Sequence, residues 1–263
     1  MAVAAGRHWL SNVDRSKIDG LLFATTTPPY IEKQNASIIA SALDLRRDIF
    51  AADVTGVLKS ATTAVKMAMD SINAGSANEV LVLSADTRLS GPRGDLERHI
   101  GDGAVALLIS NSQGIATIEG TYSITENMLD TWRSQGDLFL RTWEDRFTNE
   151  EGLDRIVKDA VAGFIEKYQL SPDDIDRIAL YAPNDRRHSA LGRSMGFSVE
   201  QLQDPLFGTV GNTGTAHPLM LLVGALEELK EGSLILVASY GDGSDVLSLR
   251  VKKEHNPKIH NVT

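Results

Sequence analysis

The sequence predicts an α/β fold made of two similar halves. Residues 18–24 and 175–182 each place an Ile-Asp pair before a short apolar run, which is typical of a buried strand. Each half later contains a Gly-Asp-Gly motif, at 101–103 and at 241–243. Chance recurrence of a common turn is the alternative, but the shared order of elements favours an internal duplication.

The first half continues with a helix and two strands. Apolar residues at helical spacing predict a helix over 60–73, and its many small side chains indicate that it is buried between sheets. The apolar run at 79–86 predicts a second strand, and 104–110 predicts a strand that follows the Gly-Asp-Gly motif.

The second half repeats this plan after a linking region. Residues 126–149 are charged and irregular and carry Trp132 and Trp143, which indicates a long surface excursion. An amphipathic helix follows at 153–164. The remaining predicted elements are a helix at 215–230 and strands at 233–240 and 245–251. We therefore place the first half at 1–125, the excursion at 126–150, the second half at 151–252 and a tail at 253–263.

Composition excludes several functional classes. The chain has 263 residues, a net charge of -9 and no cysteine, which excludes disulfides, thiolate-bound zinc, iron–sulfur clusters and cysteine nucleophiles. With 26 Lys and Arg against 35 Asp and Glu, a nucleic-acid role is not expected. The longest apolar runs are too short to cross a membrane and the start lacks a signal-peptide pattern, so we expect a cytoplasmic protein without a metal site.

Several motifs together resemble the thiolase superfamily. Besides the duplicated order, they are Leu-Phe-Ala-Thr-Thr-Thr-Pro at 22–28, Gly-Asn-Thr-Gly at 211–214 and Ala-Ser-Tyr-Gly-Asp-Gly at 238–243. Asp-Thr-Trp-Arg at 130–133 and Lys-Ser-Ala-Thr-Thr-Ala at 59–64 make the chain most similar to 3-oxoacyl-ACP synthase III and, more so, to prokaryotic-type hydroxymethylglutaryl-CoA synthase. The resemblance implies duplicated βαβαβ halves that form a layered α-β-α-β-α sandwich.

The resemblance also implies a chemistry that this sequence does not support. Enzymes of this superfamily load an acyl group from coenzyme A or acyl carrier protein onto a cysteine at the start of the buried helix, where the helix dipole favours the thiolate. Leu58 stands at that position. The nearest hydroxyls, on Thr55 and Ser60, are weak nucleophiles without a base.

Three more family positions carry residues that do not exchange protons near neutral pH. The resemblance places Asn184 at the catalytic histidine, Asn212 at the catalytic asparagine, and Thr26 at the glutamate that hydroxymethylglutaryl-CoA synthases use as general acid and base. Asn212 also suits the tight turn before a helix, so folding explains it as well as catalysis does. We interpret His188 and His217 as structural histidines near helix starts.

The front of the chain differs from the family. Family members begin with a strand and helices that come before the segment aligned with residues 2–7. We therefore expect that a separate polypeptide covers or supplies that strand, because an open sheet edge is otherwise left. A misassigned start is the alternative.

The preferred hypothesis is a non-catalytic thiolase-fold subunit that pairs with an active thiolase-fold homologue. The resemblance implies active sites near a dimer interface, and it suggests a small zinc-ribbon/OB-fold protein as a further partner. A second hypothesis is an enzyme without a covalent intermediate, in which Asn184 and Asn212 polarise a carbonyl group. A third is a scaffold that binds a coenzyme A thioester, without a covalent cofactor, through Lys59, Arg186 and Arg187.

Overall fold

The computed structural model describes residues 1–252, apart from the side chains of Asn12 and Asp95, so the predicted tail at 253–263 lies outside the described residues. The strands are β1 (Gly20–Thr25), β2 (Phe50–Thr55), β3 (Glu79–Asp86), β4 (Gly103–Ser110), β5 (Ala116–Thr125), β6 (Thr131–Trp132), β7 (Arg141–Thr142), β8 (Arg177–Leu180), β9 (Leu234–Ala238) and β10 (Gly243–Val251). The α-helices are α1 (Ala2–Trp9), α2 (Asn35–Ala42), α3 (Ser60–Asn73), α4 (Asp145–Phe147), α5 (Arg155–Tyr168), α6 (Asp185–Ser194) and α7 (His217–Glu228). A π-helical segment, Thr148–Asp154, leads into α5, and a short 3-10 helix, Gly214–Ala216, leads into α7.

The two large sheets confirm the predicted duplication. The first has the order β2-β1-β3-β4, in which β1 is parallel to both neighbours and β4 is antiparallel to β3. The second has the order β5-β10-β9-β8, in which β8 is parallel to β9 and β10 is antiparallel to β9. Strands β1, β3 and β4 therefore correspond to β8, β9 and β10, and α3 corresponds to α7.

The boundary predicted at residue 125 is wrong. Strand β5 pairs antiparallel with β10 along its length, from Ala116 opposite Val251 to Thr125 opposite Gly243. It therefore belongs to the second sheet, although it directly follows the first half in sequence. Strand pairing is a long-range property that the alternating pattern of a single strand does not specify.

Helices and sheets alternate in five layers. Helices α1 and α2 cover the outer face of the first sheet, α3 and α7 lie between the sheets, and α5 and α6 cover the second sheet. Three apolar clusters fill the spaces between these layers. Small residues let α3 fit between two sheets, since Ala61, Ala64 and Ala68 are almost completely buried. Within residues 1–252, no helix combines the length and apolar character that a membrane crossing needs.

The two Gly-Asp-Gly motifs need glycine for different reasons. In the second half the backbone turns through positive φ at Gly241, Asp242 and Gly243, with φ of 148°, 42° and 119°. In the first half the constraint is a close approach, because a Cβ on Gly101 would lie 1.8 Å from the carbonyl oxygen of Val210. The prediction of a turn fits the second motif, whereas the first motif docks one half against the other.

One carboxylate joins the two halves. Asp86, at the end of β3, is 1% exposed and accepts hydrogen bonds from three consecutive threonines at the end of β1. Those threonines are Thr25, Thr26 and Thr27. It also accepts from the N–H and the hydroxyl of Thr215, before α7, at 2.8 and 2.7 Å. Asp86 therefore fixes the loop after β1 and the start of α7 relative to each other.

We expect Asp86→Asn to lower the free energy of unfolding by about 3 kcal/mol or more, because it replaces charge-assisted hydrogen bonds and leaves buried donors without acceptors. Urea denaturation followed by circular dichroism measures this change. Asp48→Asn is the matched control, since the Asp48 side chain is 77% exposed beside Arg46 and its loss should leave the unfolding midpoint nearly unchanged. Equal destabilisation by both variants would contradict the prediction.

Candidate functional site

The candidate site is a cavity of about 140 Å³ at the N-terminal end of α3. Loops that follow β1 and β3 form part of its wall, together with the segment just before α3. Residues 130–133 of the excursion and the turn at 241–242 close it from other sides. Because the turn belongs to the second half and the loops to the first, both halves build one site.

An aliphatic side chain occupies the predicted position of the nucleophile. Leu58 lines the cavity two residues before α3 begins and is half-buried against the apolar cluster on the outer face of the second sheet. The Ser60 hydroxyl donates to the Val57 carbonyl at 2.7 Å, and Thr55 is exposed. A saturated carbon has no lone pair with which to attack a thioester, so Leu58 cannot carry an acyl group.

Thr26, the residue predicted at the position of the general acid and base, also lies on the cavity wall. Its hydroxyl donates to Asp86 Oδ2 at 2.9 Å, and its N–H donates to Asp86 Oδ1 at 2.7 Å. Arg133 holds the same segment by donating from Nη2 to the Thr26 carbonyl at 3.0 Å. Threonine does not titrate near neutral pH, so this position supplies neither an acid nor a base.

Asn212 is buried, and both polar atoms of its side chain are bonded. Its Oδ1 accepts from Arg88 Nη2 at 2.7 Å and from the Gly214 N–H at 2.9 Å. Its Nδ2 donates to the Tyr181 hydroxyl at 3.1 Å and to the Ala182 carbonyl at 3.2 Å. With both amide hydrogens used inside the protein, Asn212 has none left for a ligand carbonyl.

Asn184, assigned to the position of the catalytic histidine, is not the residue that contacts Asn212, because Tyr181 takes that place. Tyr181, directly after β8, is still held to the sheet by its N–H bond to the Ala238 carbonyl at 2.8 Å, so its ring reaches Asn212. At Asn184 the chain has left the sheet, and Oδ1 of Asn184 caps α6 by accepting from the Arg187 N–H at 3.0 Å. Sequence analysis missed Tyr181, although an aromatic residue directly after a buried strand indicates a side chain that stays in the interior.

Two buried histidines lie near helix starts, as predicted. His217 is fully buried between the Tyr181 ring, 6.0 Å away edge-on, and the Phe207 ring at 5.5 Å. Neither of its ring nitrogens has a hydrogen-bond partner within residues 1–252. Burial, helped by the nearby His188 and Arg88, lowers the pKa of His217 to about 3, and burial also lowers the pKa of His188. Both imidazoles are therefore neutral at pH 7.

The cavity wall also carries a buried acid to which sequence analysis gave no role. Asp130 lines the cavity, and burial raises the pKa of its carboxyl. Tyr240 lies beside it, and burial, followed by the Asp130 charge, raises the pKa of Tyr240. The Tyr240 ring also stacks on Tyr181 at 6.3 Å. An acid on the cavity wall is thus connected to two buried tyrosines.

A larger and more open groove, of about 790 Å³, is lined by residues 98–99 of the first half and by residues of the second half. Arg186 lines it, as does Arg98, which sequence analysis did not select. Asp185 and Asp204 stand on the same walls. Phe207 separates the groove from the buried His217, since its ring contacts both that histidine and His99 of the groove.

The structure separates the three predicted phosphate contacts. Lys59 is 11% exposed and pairs with the buried Asp245 at 3.2 Å, so its assignment as a phosphate contact is wrong. Arg187 pairs with Asp154 at 3.0 Å. Arg186 alone of the three lies exposed in the groove. A lysine already neutralised inside the protein has no charge to spare for a ligand.

Comparison of the sequence with known proteins gives consistent matches. Residues 165–253 match the family described as 3-Oxoacyl-[acyl-carrier-protein (ACP)] synthase III C terminal. The hydroxymethylglutaryl-CoA synthase of Methanopyrus kandleri is 32% identical over 256 residues, which cover 95% of this chain and 73% of that protein. The hydroxymethylglutaryl-CoA synthase of Methanocaldococcus jannaschii is 32% identical over 261 residues, 97% of this chain and 75% of that protein.

Solved structures share the fold. An HMG-CoA synthase crystallised in complex with CoA gives a TM-score of 0.85 at 21% identity, with 96% of this chain and 70% of that chain covered. The 3-oxoacyl-[acyl-carrier-protein] synthase III from Aquifex aeolicus gives 0.84 at 22% identity, with 95% and 83% covered. These likenesses confirm the predicted thiolase-like α/β fold.

Acid should destabilise the protein through His217. Its pKa in the unfolded chain is about 6.5, so below that pH the unfolded state takes up a proton that the folded state refuses until about pH 3. Stability from this group is therefore complete above pH 6.5 and falls by about 2 kcal/mol between pH 7 and pH 5.

We expect His217→Leu to remove that part of the pH dependence while leaving stability at pH 7 unchanged or higher, because no bonded polar atom is lost. Urea unfolding of both proteins at pH 7, 6 and 5 gives the comparison. If the free energy of unfolding fell equally with pH in the two proteins, His217 would not be the source of the acid sensitivity.

Proposed function

This chain belongs to the hydroxymethylglutaryl-CoA synthase family, and from that premise we propose that it is a non-catalytic subunit. It would pair with an active thiolase-fold homologue in a complex that condenses, cleaves or transfers acyl groups of coenzyme A thioesters. The observation that carries the proposal is Leu58 at the start of α3, on the wall of the central cavity.

The other residues around the cavity support the same proposal. Thr26 has no titrating group, and Asn212 uses both amide hydrogens within the protein. Tyr181, rather than a histidine, is bonded to Asn212, and burial holds the pKa of His217 far below neutral. A nucleophile and a proton-transfer group are both absent from the positions where the family chemistry would need them.

A surface of the first half suits a partner of the same fold. Strand β2 is the edge of the first sheet, and residues 50–55 are only partly buried. Phe50 at its start is 39% exposed, and Ile38 on α2 and Met67 on α3 are 38% and 42% exposed. An unpaired strand edge with apolar neighbours favours pairing with another sheet.

The competing function is acyl transfer without a covalent intermediate, with Asn184 and Asn212 polarising one carbonyl group. Its geometric requirement is that both amides reach a shared pocket. Asn184 caps α6 and lines the outer groove, whereas the Asn212 hydrogens are bonded to Tyr181 and Ala182. These contacts disfavour the competing function.

Turnover and assembly measured together test the proposal. The isolated chain should neither condense nor cleave acetyl- or acetoacetyl-CoA, and native mass spectrometry after co-expression with neighbouring genes should detect a heteromer containing a thiolase-fold protein. The same spectra would reveal a small third subunit or a separate peptide that supplies a strand. Steady turnover by the isolated chain would overturn the proposal.

The variant Leu58→Cys tests whether the environment before α3 still activates a thiol. A thiol at that helix start should have a lowered pKa, so we expect iodoacetamide to alkylate it faster at pH 7 than the thiol of Met67→Cys, in the middle of the same helix. Faster alkylation without turnover would show that the fold keeps the environment of a nucleophile and lacks the remaining chemistry. Slower alkylation than at residue 67 would argue against Leu58 as the nucleophile position.

Coenzyme A is the ligand we propose for the outer groove, since a solved structure of the same fold holds CoA and two exposed arginines line this groove. We expect Arg186→Ala to weaken CoA binding about fivefold, as for loss of one solvent-exposed ion pair of about 1 kcal/mol. Isothermal titration calorimetry measures the dissociation constant for CoA. Arg193→Ala, exposed on the same helix but outside the groove, should bind CoA like the wild type. A similar loss in both variants would place CoA elsewhere.

A further inference from the structure

A buried arginine on the cavity wall forms no salt bridge with any side chain that the structure describes. Arg88 is 7% exposed, and its one side-chain hydrogen bond within residues 1–252 runs from Nη2 to the neutral Asn212. Its Nε–H has no partner in the same described region, and no carboxylate there lies within 4 Å of it. A guanidinium is charged at every relevant pH, and this one keeps donors that no acceptor among the described residues satisfies.

The neighbouring polar groups cannot satisfy Arg88. Asp86 lies close, because a Cβ on Gly214 would approach both Asp86 Oδ2, at 2.4 Å, and Arg88 Nε, at 2.9 Å. Asp86 is nevertheless occupied by the threonines after β1 and by Thr215. The start of α3 also borders the cavity, and the positive end of a helix dipole adds to the attraction for an anion.

The cavity is small, and one part of its wall is apolar. Val57, Leu58, Trp132 and Leu140 contribute to its wall. Its volume of about 140 Å³ is close to the roughly 150 Å³ of an engineered protein cavity that holds benzene, a ligand of about six non-hydrogen atoms. A ligand that matches this space has one anionic end and a short hydrocarbon body.

We propose that the cavity binds a short-chain monocarboxylate as the free anion, with its carboxylate on Arg88 and its hydrocarbon body against Leu58 and Trp132. The aliphatic residue that removes the nucleophile then serves as the apolar floor of a binding site. The proposal concerns a ligand of the isolated chain and does not depend on a partner subunit.

Asp130 sets the orientation of the ligand. Its carboxyl stands on the same cavity wall and would repel a second carboxylate, so the charged end must lie at Arg88. Burial raises the pKa of Asp130, which weakens this repulsion as the pH falls. The other charged side chains on the wall are Arg133, which is bonded to the Thr26 carbonyl, and the exposed Asp242.

Butyrate, with six non-hydrogen atoms, is the probe. Isothermal titration calorimetry at constant salt should give a dissociation constant of about 1 mM or below, as reasonable for a ligand of about six atoms. Butyramide, which has the same shape without the charge, should bind at least tenfold more weakly. No binding of butyrate at about ten times that concentration, or equal binding of butyramide, would overturn the proposal.

Three variants locate the binding site. Arg88→Met should weaken butyrate binding at least tenfold, and Arg98→Met, an exposed arginine of the outer groove, should leave it unchanged. Leu58→Phe keeps Arg88 but fills the cavity, so it should also abolish binding, even if Arg88→Met fails to fold. Wild-type affinity in Leu58→Phe, or equal loss in Arg98→Met, would show that butyrate binds elsewhere.

Discussion

The Asp86 carboxylate is the constraint on which the rest of the site depends. It is buried at the end of β3 and receives hydrogen bonds from the loop after β1 and from Thr215, just before α7. Charge-assisted bonds to a buried carboxylate are strong, and they leave little freedom to the segments that make them. This one group therefore fixes Thr26 on the cavity wall and ties the end of β1 to the segment before α7.

A second set of polar contacts connects the cavity wall to the interior of the protein. Arg88 donates to Asn212, which donates to the Tyr181 hydroxyl, and the Tyr181 ring contacts His217 and Tyr240. These side chains are buried; hydrogen bonds join Arg88, Asn212 and Tyr181, whereas His217 and Tyr240 contact Tyr181 through their rings alone. Among the described residues of this network, Arg88 keeps hydrogen-bond donors that the protein does not use.

Much of the fold follows from local patterns. The helix at 60–73 and the strand at 79–86 lie where their periodicity and apolar runs predict them, because burial on both faces leaves a strong signature. The strand at 116–125 was assigned to the wrong half, since its alternating pattern does not say which sheet it joins. The residue that contacts Asn212 was misassigned for a related reason. Tyr181, at the strand end, points into the interior and is bonded to Asn212, whereas Asn184, three residues later, already caps α6.

The sequence alone determined that this chain has no cysteine, that its two halves are alike and that Leu58 precedes the buried helix. Tertiary structure decided which charges remain available. Lys59 forms a salt bridge with Asp245, which is 186 residues away, while the hydrogen-bond partner of the Arg88 side chain among the described residues is the neutral Asn212, which is 124 residues away. Sequence order carries no information on such pairings, because the electrostatic energy of a charge depends on its neighbours in space and on its burial.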